Sequence, residues 1–262
     1  MTALGELSRV SFAYGVRDVI TDVSLSITRG QIAGVIGPNA SGKSTLARLL
    51  CGLLAPRFGE ALLGGTNAHA LPRREAARRA ALVSQLIPTE LPFTSREVVL
   101  MGRAPHLGLL ALESAEDVRL ADAALAEVRI SHLAERAFDT LSGGEKQLCI
   151  LARAIAQAAP LVVLDEPTSA LDLAHQTDLA RALKSHAARG GGALVVVHDL
   201  SFAGAVCDHL TLLSRGSVVA SGAPHDVLAP APLAAAYETS VRVIADPKTG
   251  APIVLPSLDE KL

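Results

Sequence analysis

Residues 139–172 read DTLSGGEKQLCILARAIAQAAPLVVLDEPTSALD. A serine and two glycines open a helical pattern, and the apolar run at 161–164 then ends on Asp165 and Glu166. A short apolar run bounded by turn residues reads as a strand buried on both faces, and strands of that kind belong to parallel sheets covered by helices. A glycine-opened helix and a strand ending in two acids admit two explanations. One is the ordinary packing of an α/β domain. The other is a pair of ends that handle a phosphate chain.

Working outward, the same alternation recurs. The run QIAGVIG at 31–37 is a second buried strand, and KSTLARLLCGLL at 43–54 is helical until Gly52 and Pro56 close it. The apolar runs LVVLDE, GALVVVHD and HLTLLSRGSVVASG follow later, the first two separated by the long helical stretch LAHQTDLARALKSHAARG. Strands alternating with helices argue for a doubly wound parallel sheet. The first thirty residues differ, because Val10, Phe12 and Tyr14, and then Val23, Leu25 and Ile27, alternate at period two. That pattern predicts half-buried strands. Residues 56–70 read as hairpin and turns, residues 81–84 as a further strand, and residues 95–158 as mainly helical.

Between the strand at 31–37 and its helix lies GPNASGKST, residues 37–45. It fits G-x-x-x-x-G-K-[ST] in the strand-loop-helix setting that the pattern requires. Glycines let backbone N–H groups curl around a phosphate, and the helix N-terminus adds its positive dipole end. The loop Gly37, Pro38, Asn39, Ala40, Ser41, Gly42, Lys43, Ser44 and Thr45 is therefore expected to bind a nucleoside triphosphate. Lys43 would reach the β- and γ-phosphates, and the Ser44 hydroxyl would ligate Mg²⁺. Asp165 supplies a carboxylate for that ion, and Glu166 can polarise a water aligned with the γ-phosphate. Two acids after an apolar run mean little alone; beside a phosphate loop they complete a site.

Composition narrows the class. Of 262 residues half are hydrophobic and only 3% aromatic, without tryptophan, so the core must be built from Ala, Leu and Val. A net charge of −2 gives no electrostatic reason to expect nucleic acid. Cys51, Cys149 and Cys207 lie far apart in apolar contexts and offer neither a zinc spacing nor a disulfide framework. No apolar run approaches the roughly 18 residues of a membrane span, and the opening residues lack the features of a signal peptide, so a cytoplasmic protein is expected.

LSGGEKQ at 141–147, taken with these motifs, resembles the signature of ATP-binding cassette proteins, and the resemblance covers nearly the whole chain. It implies a P-loop NTPase (RecA-like) α/β core with an N-terminal antiparallel β subdomain and an inserted helical subdomain. The implied boundaries are 1–240 for the ATP-binding domain, with the β-rich and core parts at 1–85 and 159–237, the helical part at 86–158, and a hairpin extension at 241–262. By the same resemblance Leu141, Ser142, Gly143, Gly144 and Glu145 grip the γ-phosphate held by a second subunit. Glu145 stands where the family often has Gln. Gln85 resembles the glutamine that contacts Mg²⁺ or the attacking water, and Ser169, Ala170, Leu171 and Asp172 resemble the loop reaching across the dimer. His198 resembles the histidine that contacts the γ-phosphate, completing a catalytic set with Glu166 and Gln85. Tyr14 resembles the aromatic that stacks on adenine. One departure is Ala40, where the family most often has glycine; the loop is expected to close normally.

The stretch REVVLMGRAPHLGLL at 96–110 resembles the ATPases of ferric siderophore, haem and cobalamin uptake, at the place where they meet a permease. The resemblance implies an importer subunit powering uptake of an iron complex, with cobalamin as the alternative cargo. It further implies a homodimer of cassettes, two transmembrane permease subunits, a substrate-binding protein, and a peripheral position on the cytoplasmic face of the bacterial inner membrane. Cassette ATPases that act on nucleic acid or ribosomes usually carry a long coiled coil, zinc cysteines or tandem cassettes, and none of these is present. The basic run RREAARR at 73–79 reads as a solvated helix face, and His106 as a loop residue at a protein contact.

Overall fold

The computed structural model describes residues 3–85, 91–108, 111–169 and 171–257. The chain opens with β1 (Gly5–Tyr14) and β2 (Arg17–Ile27), an antiparallel pair. Next come β3 (Ile32–Ile36), α1 (Lys43–Leu50), β4 (Phe58–Leu63), the short β5 (Thr66–Asn67), α2 (Arg73–Arg79) and β6 (Ala80–Val83). Among the described residues the α-helices that follow are α3 (Ser95–Leu100), α4 (Ala115–Glu127) and α5 (Gly143–Ala156). The chain then alternates through β7 (Leu161–Asp165), α6 (Leu173–Ala188), β8 (Gly192–Val196), α7 (Leu200–Val206) and the antiparallel pair β9 (His209–Ser214) and β10 (Ser217–Gly222). Helices α8 (Pro224–Val227) and α9 (Pro230–Tyr237) lead into the hairpin of β11 (Val241–Ala245) and β12 (Pro252–Pro256).

The central sheet has the order β10-β9-β3-β8-β7-β6, parallel except at β10. The second sheet is antiparallel, with the order β2-β1-β4-β5. This is the α/β fold class expected from the sequence.

Two-sided burial explains the unbroken apolar runs. Along β7, Leu161 and Val163 join the core shared with the antiparallel sheet and α1. Val162 and Leu164 face the opposite core, formed with α5 and α6. In β8, Leu194 and Val196 take the first side, Ala193 and Val195 the second. Each buried Leu or Val contributes about 1.5–3 kcal/mol relative to exposure, so neither face tolerates a polar residue.

Helices α3 to α5 form an excursion between β6 and β7, which are themselves hydrogen-bonded neighbours. Each opens with a capping box, a side chain at the N-cap exchanging bonds with an acid three residues on: Thr94 with Glu97, Ser114 with Asp117, and Ser142 with Glu145. Inside this excursion the buried Arg103 donates to Asp117 at 2.9 Å and to the Ala156 carbonyl at the end of α5.

The basic run on α2 is not merely solvated. Arg74 and Arg78 donate to the Pro105 carbonyl, and Arg79 donates to the Leu63 carbonyl and the Thr66 hydroxyl. Carbonyls at the ends of elements accept from donors outside their own element, and long guanidinium side chains supply them. His106 is likewise tied, its Nε2 lying 2.8 Å from the Gln157 carbonyl.

Candidate active site

Four adjacent strands of the central sheet deliver the site at their C-terminal ends. The phosphate loop leaves β3, Asp165 and Glu166 end β7, His198 follows β8, and Gln85 follows β6. Parallel strands put these ends on one side of the sheet, where open α/β folds bind ligands.

Backbone geometry explains the loop's glycines. Gly37 has φ 147°, and a Cβ there would lie 2.1 Å from the Leu213 carbonyl oxygen. Gly42 has φ 103°, with Ile20 Cδ1 at 2.4 Å from such a Cβ. Ala40 adopts φ 61°, so the loop closes with an alanine in a conformation that favours glycine. Helix α1 has no side-chain cap, which leaves the N–H groups of its first turn aimed into the loop.

Lys43 is 4% exposed, and its Nζ donates to the Gly37 and Pro38 carbonyls at 2.9 and 2.8 Å. Burial lowers its pKa, against the raising pull of Glu166 and Asp165. The Ser44 hydroxyl donates to Asp165 Oδ1 at 2.9 Å. Asp165, also 4% exposed, is pushed up by burial and by the nearby Glu166, while the Ser44 bond opposes the rise. Both charges are thus held desolvated, a state that a bound cation and polyphosphate would relieve.

Glu166 is the hub. Its carboxylate accepts from Gln85 Nε2 at 2.5 Å through one oxygen and meets His198 Nε2 at 2.5 Å through the other. The residue sits at φ 55°, and its N–H is fixed to the Val196 carbonyl of β8 at 2.9 Å. Strain of this kind persists only where neighbours over-determine the geometry, and it clusters at functional positions. Tyr14 stands at the cleft mouth, 48% exposed, with Phe12 edge-on at 4.8 Å holding its ring.

The cleft encloses about 1150 Å³ and is lined by Tyr14, the residues 39–45, Gln85, Glu166 and His198. Arg17, Asp18, Val19, Arg215 and Gly216 line it too, and sequence reasoning missed them. Arg17 and Asp18 follow Tyr14 closely and could have been suspected; Arg215, in a turn two hundred residues away, carries no local signal. Ser142 and Asp172 do not line this cleft. Ser142 caps α5 and Asp172 caps α6, each at an exposed surface. Ser169 donates from its hydroxyl to the Glu166 carbonyl, and Ala170 lies outside the described residues, as do Leu109 and Leu110 of the 96–110 stretch.

A glycine cradle, a buried lysine and a strand-end acid pair gather at one cleft, and a capped serine-glycine-glycine helix starts outside its lining. The profile of the ABC transporter family matches residues 20–169. The chain belongs to the ABC transporter family. As a member it is an ATPase, with hydrolysis coupled to transport. The Hemin import ATP-binding protein HmuV of Pseudomonas entomophila (strain L48) is 42% identical over 246 residues, covering 92% of this cassette and 95% of that protein. The Cobalamin import ATP-binding protein BtuD of Halobacterium salinarum (strain ATCC 29341 / DSM 671 / R1) is 42% identical over 242 residues, 92% of this cassette but 60% of that protein. Among solved structures, an inward-facing ABC transporter assigned to the metal-chelate type superposes with a TM-score of 0.85 at 27% identity, covering 99% of both chains. The ADP conformation of MJ1267, an ATP-binding cassette, shares the fold at a TM-score of 0.81 and 24% identity, covering 91% of this chain and 99% of that one.

The cleft of this cassette fits Mg²⁺ with ATP on its own chemistry. Ser44 and Asp165 offer the hard oxygen donors that the ion prefers, with room for waters and phosphate oxygens. The Ser41 hydroxyl is buried without a hydrogen-bond partner among the described residues, so it has a bond to offer a phosphate oxygen.

Proposed function

We propose that two copies of this cassette, arranged head to tail, power the import of an iron complex, haem or a ferric siderophore, through two separate transmembrane permease subunits. A substrate-binding protein hands over the cargo, and the cassettes sit peripherally on the cytoplasmic face of the bacterial inner membrane. Nucleic acid has no part in it. The observation that carries the hydrolytic half is the Gln85–Glu166–His198 cluster at the rim of the phosphate loop. Similarity to hemin import ATP-binding proteins supports the cargo. Among the described residues no helix is long and apolar enough to cross a membrane, which fits a permease made by other chains.

In this reading Tyr14 stacks on the base and the phosphate loop holds the polyphosphate. Lys43 gives up its bonds to the Gly37 and Pro38 carbonyls and turns to the phosphates. Ser44, Asp165 and Gln85 would hold Mg²⁺, which when bound neutralises charge on the β- and γ-phosphates. Glu166 takes a proton from the attacking water, and His198, already on the opposite carboxylate oxygen, orients it. The Ser142 hydroxyl accepts its capping bond from the Glu145 N–H and also pairs with the Glu145 carboxylate, so in this reading it turns from that carboxylate to reach the partner's γ-phosphate. Closure of the pair drives the permease through one half of its cycle, and phosphate release reopens it.

Cobalamin is the second reading, favoured by the equal identity to a cobalamin import protein. Cells lacking the gene and given back the wild type or Glu166→Gln separate the two readings by uptake of labelled haem, ferric siderophore and cobalamin. Loss of haem or siderophore uptake, restored by the wild type alone, is expected. Selective loss of cobalamin uptake supports the second reading, and unchanged uptake of all three overturns both.

A further inference from the structure

His175 belongs to none of the motifs described above, yet it touches two of them. Its ring Nδ1 lies 2.7 Å from Asp172 Oδ1, and its backbone N–H donates to the same oxygen at 2.9 Å. A carboxylate only accepts, so the Nδ1 position carries the proton that joins them. The other side of the ring rests on the signature helix. A Cβ built on Gly144 would lie 3.0 Å from Nδ1, 3.2 Å from Cε1 and 3.3 Å from Cγ of His175. The ring therefore lies over the bare α-carbon of Gly144, in the first turn of α5, while its edge holds the residue that caps α6. Gly144 has a helical backbone, so a glycine here serves the seat of the ring and not an unusual φ.

Neither Ser142 nor Asp172, at the starts of the two elements so joined, lines this chain's own cleft. Ser142 and Gly143 are exposed at the start of α5, and Asp172 is exposed at the start of α6. We infer that His175 is a positioning residue, a strut that locks Asp172 at the start of α6 to the signature helix so that both meet a second copy of this chain as one surface. The inference rests on the head-to-tail reading above. It adds that the strut needs both ends, the bond to Asp172 and the seat on Gly144. Without it each element samples its own orientation, and closure of the dimer must order them separately.

The full chain is tested in a Glu166→Gln background, so that ATP is bound but hydrolysed slowly. His175→Phe keeps a ring on Gly144 without the bond to Asp172, and His175→Asn keeps a donor for Asp172 without the ring. Affinity for trinitrophenyl-ATP is measured by fluorescence, and dimerisation in saturating Mg²⁺·ATP by sedimentation equilibrium. Both variants are expected to keep nucleotide affinity within about twofold, because His175 does not line the cleft. Both are expected to weaken dimerisation about tenfold, the effect of one lost interaction of ordinary strength. Wild-type dimerisation in either variant overturns the strut, as does an equal loss of nucleotide affinity. If Glu166→Gln alone stays monomeric in ATP, the sandwich itself fails, and that outcome is distinct from failure of the strut.

Discussion

At the scale of single residues, the phosphate loop stores a correctable strain. Ala40 sits at φ 61°, where an L side chain costs about 1–2 kcal/mol. Glycine relieves that strain but gains freedom in the unfolded chain, worth about 0.4–1 kcal/mol. Ala40→Gly is therefore expected to raise the unfolding free energy by about 0.5–1 kcal/mol, read from the urea midpoint at unchanged slope. A second residue trades stability for function. Burial raises the Asp165 pKa, so its charged form is disfavoured there. A group whose folded pKa is raised lends stability at low pH and loses it as pH climbs through the folded value. Asp165→Asn should thus stabilise the nucleotide-free protein at neutral pH, with the gain fading in acid, while ATPase activity collapses. A fall in the melting temperature of the empty variant would contradict this. Residues 39–45 of the cleft were legible because a strand-loop-helix motif fixes them by local spacing, whereas Tyr14, Gln85 and His198 were named through the family resemblance. Arg215 and the left-handed backbone of Glu166 were not, since each depends on a strand brought in from elsewhere.

At the scale of elements, the helical excursion is held by its caps. Ser114 accepts the Asp117 N–H, and Asp117 returns bonds to the Ser114 N–H and hydroxyl. Removing the cap with Ser114→Ala is expected to cost about 1 kcal/mol. An unchanged urea midpoint would mean that α4 is held by packing alone. The three boxes were present in the sequence as TSRE, SAED and SGGE, and a search for N-cap serines and threonines followed by acids three residues on would have found them. The arginines of α2 were less readable. Their acceptors include the Pro105 carbonyl, some thirty residues downstream, and helical spacing says nothing about so distant a loop. Helix α9 begins on Pro230, at the first helical position, where proline fits because its missing N–H would be unpaired anyway.

At the scale of the whole molecule, alternation in the sequence announces a parallel sheet but not the order of its strands. That β3 lies between β8 and β9, with β7 and β6 beyond, is settled by long-range packing of two apolar cores. This order makes the ends of β3, β8, β7 and β6 consecutive, which lets Gln85, Glu166 and His198 meet beside Lys43 although they span over a hundred residues. We propose that Glu166 removes a proton from the water that attacks a nucleotide held between two copies. Single-turnover hydrolysis by Glu166→Gln in saturating Mg²⁺·ATP, with sedimentation on the same sample, tests it most directly. The amide cannot accept that proton, so a rate loss of about 10²–10⁴-fold is expected with ATP still bound and the protein dimeric. Hydrolysis at the wild-type rate, or a monomer that holds ATP, would contradict it.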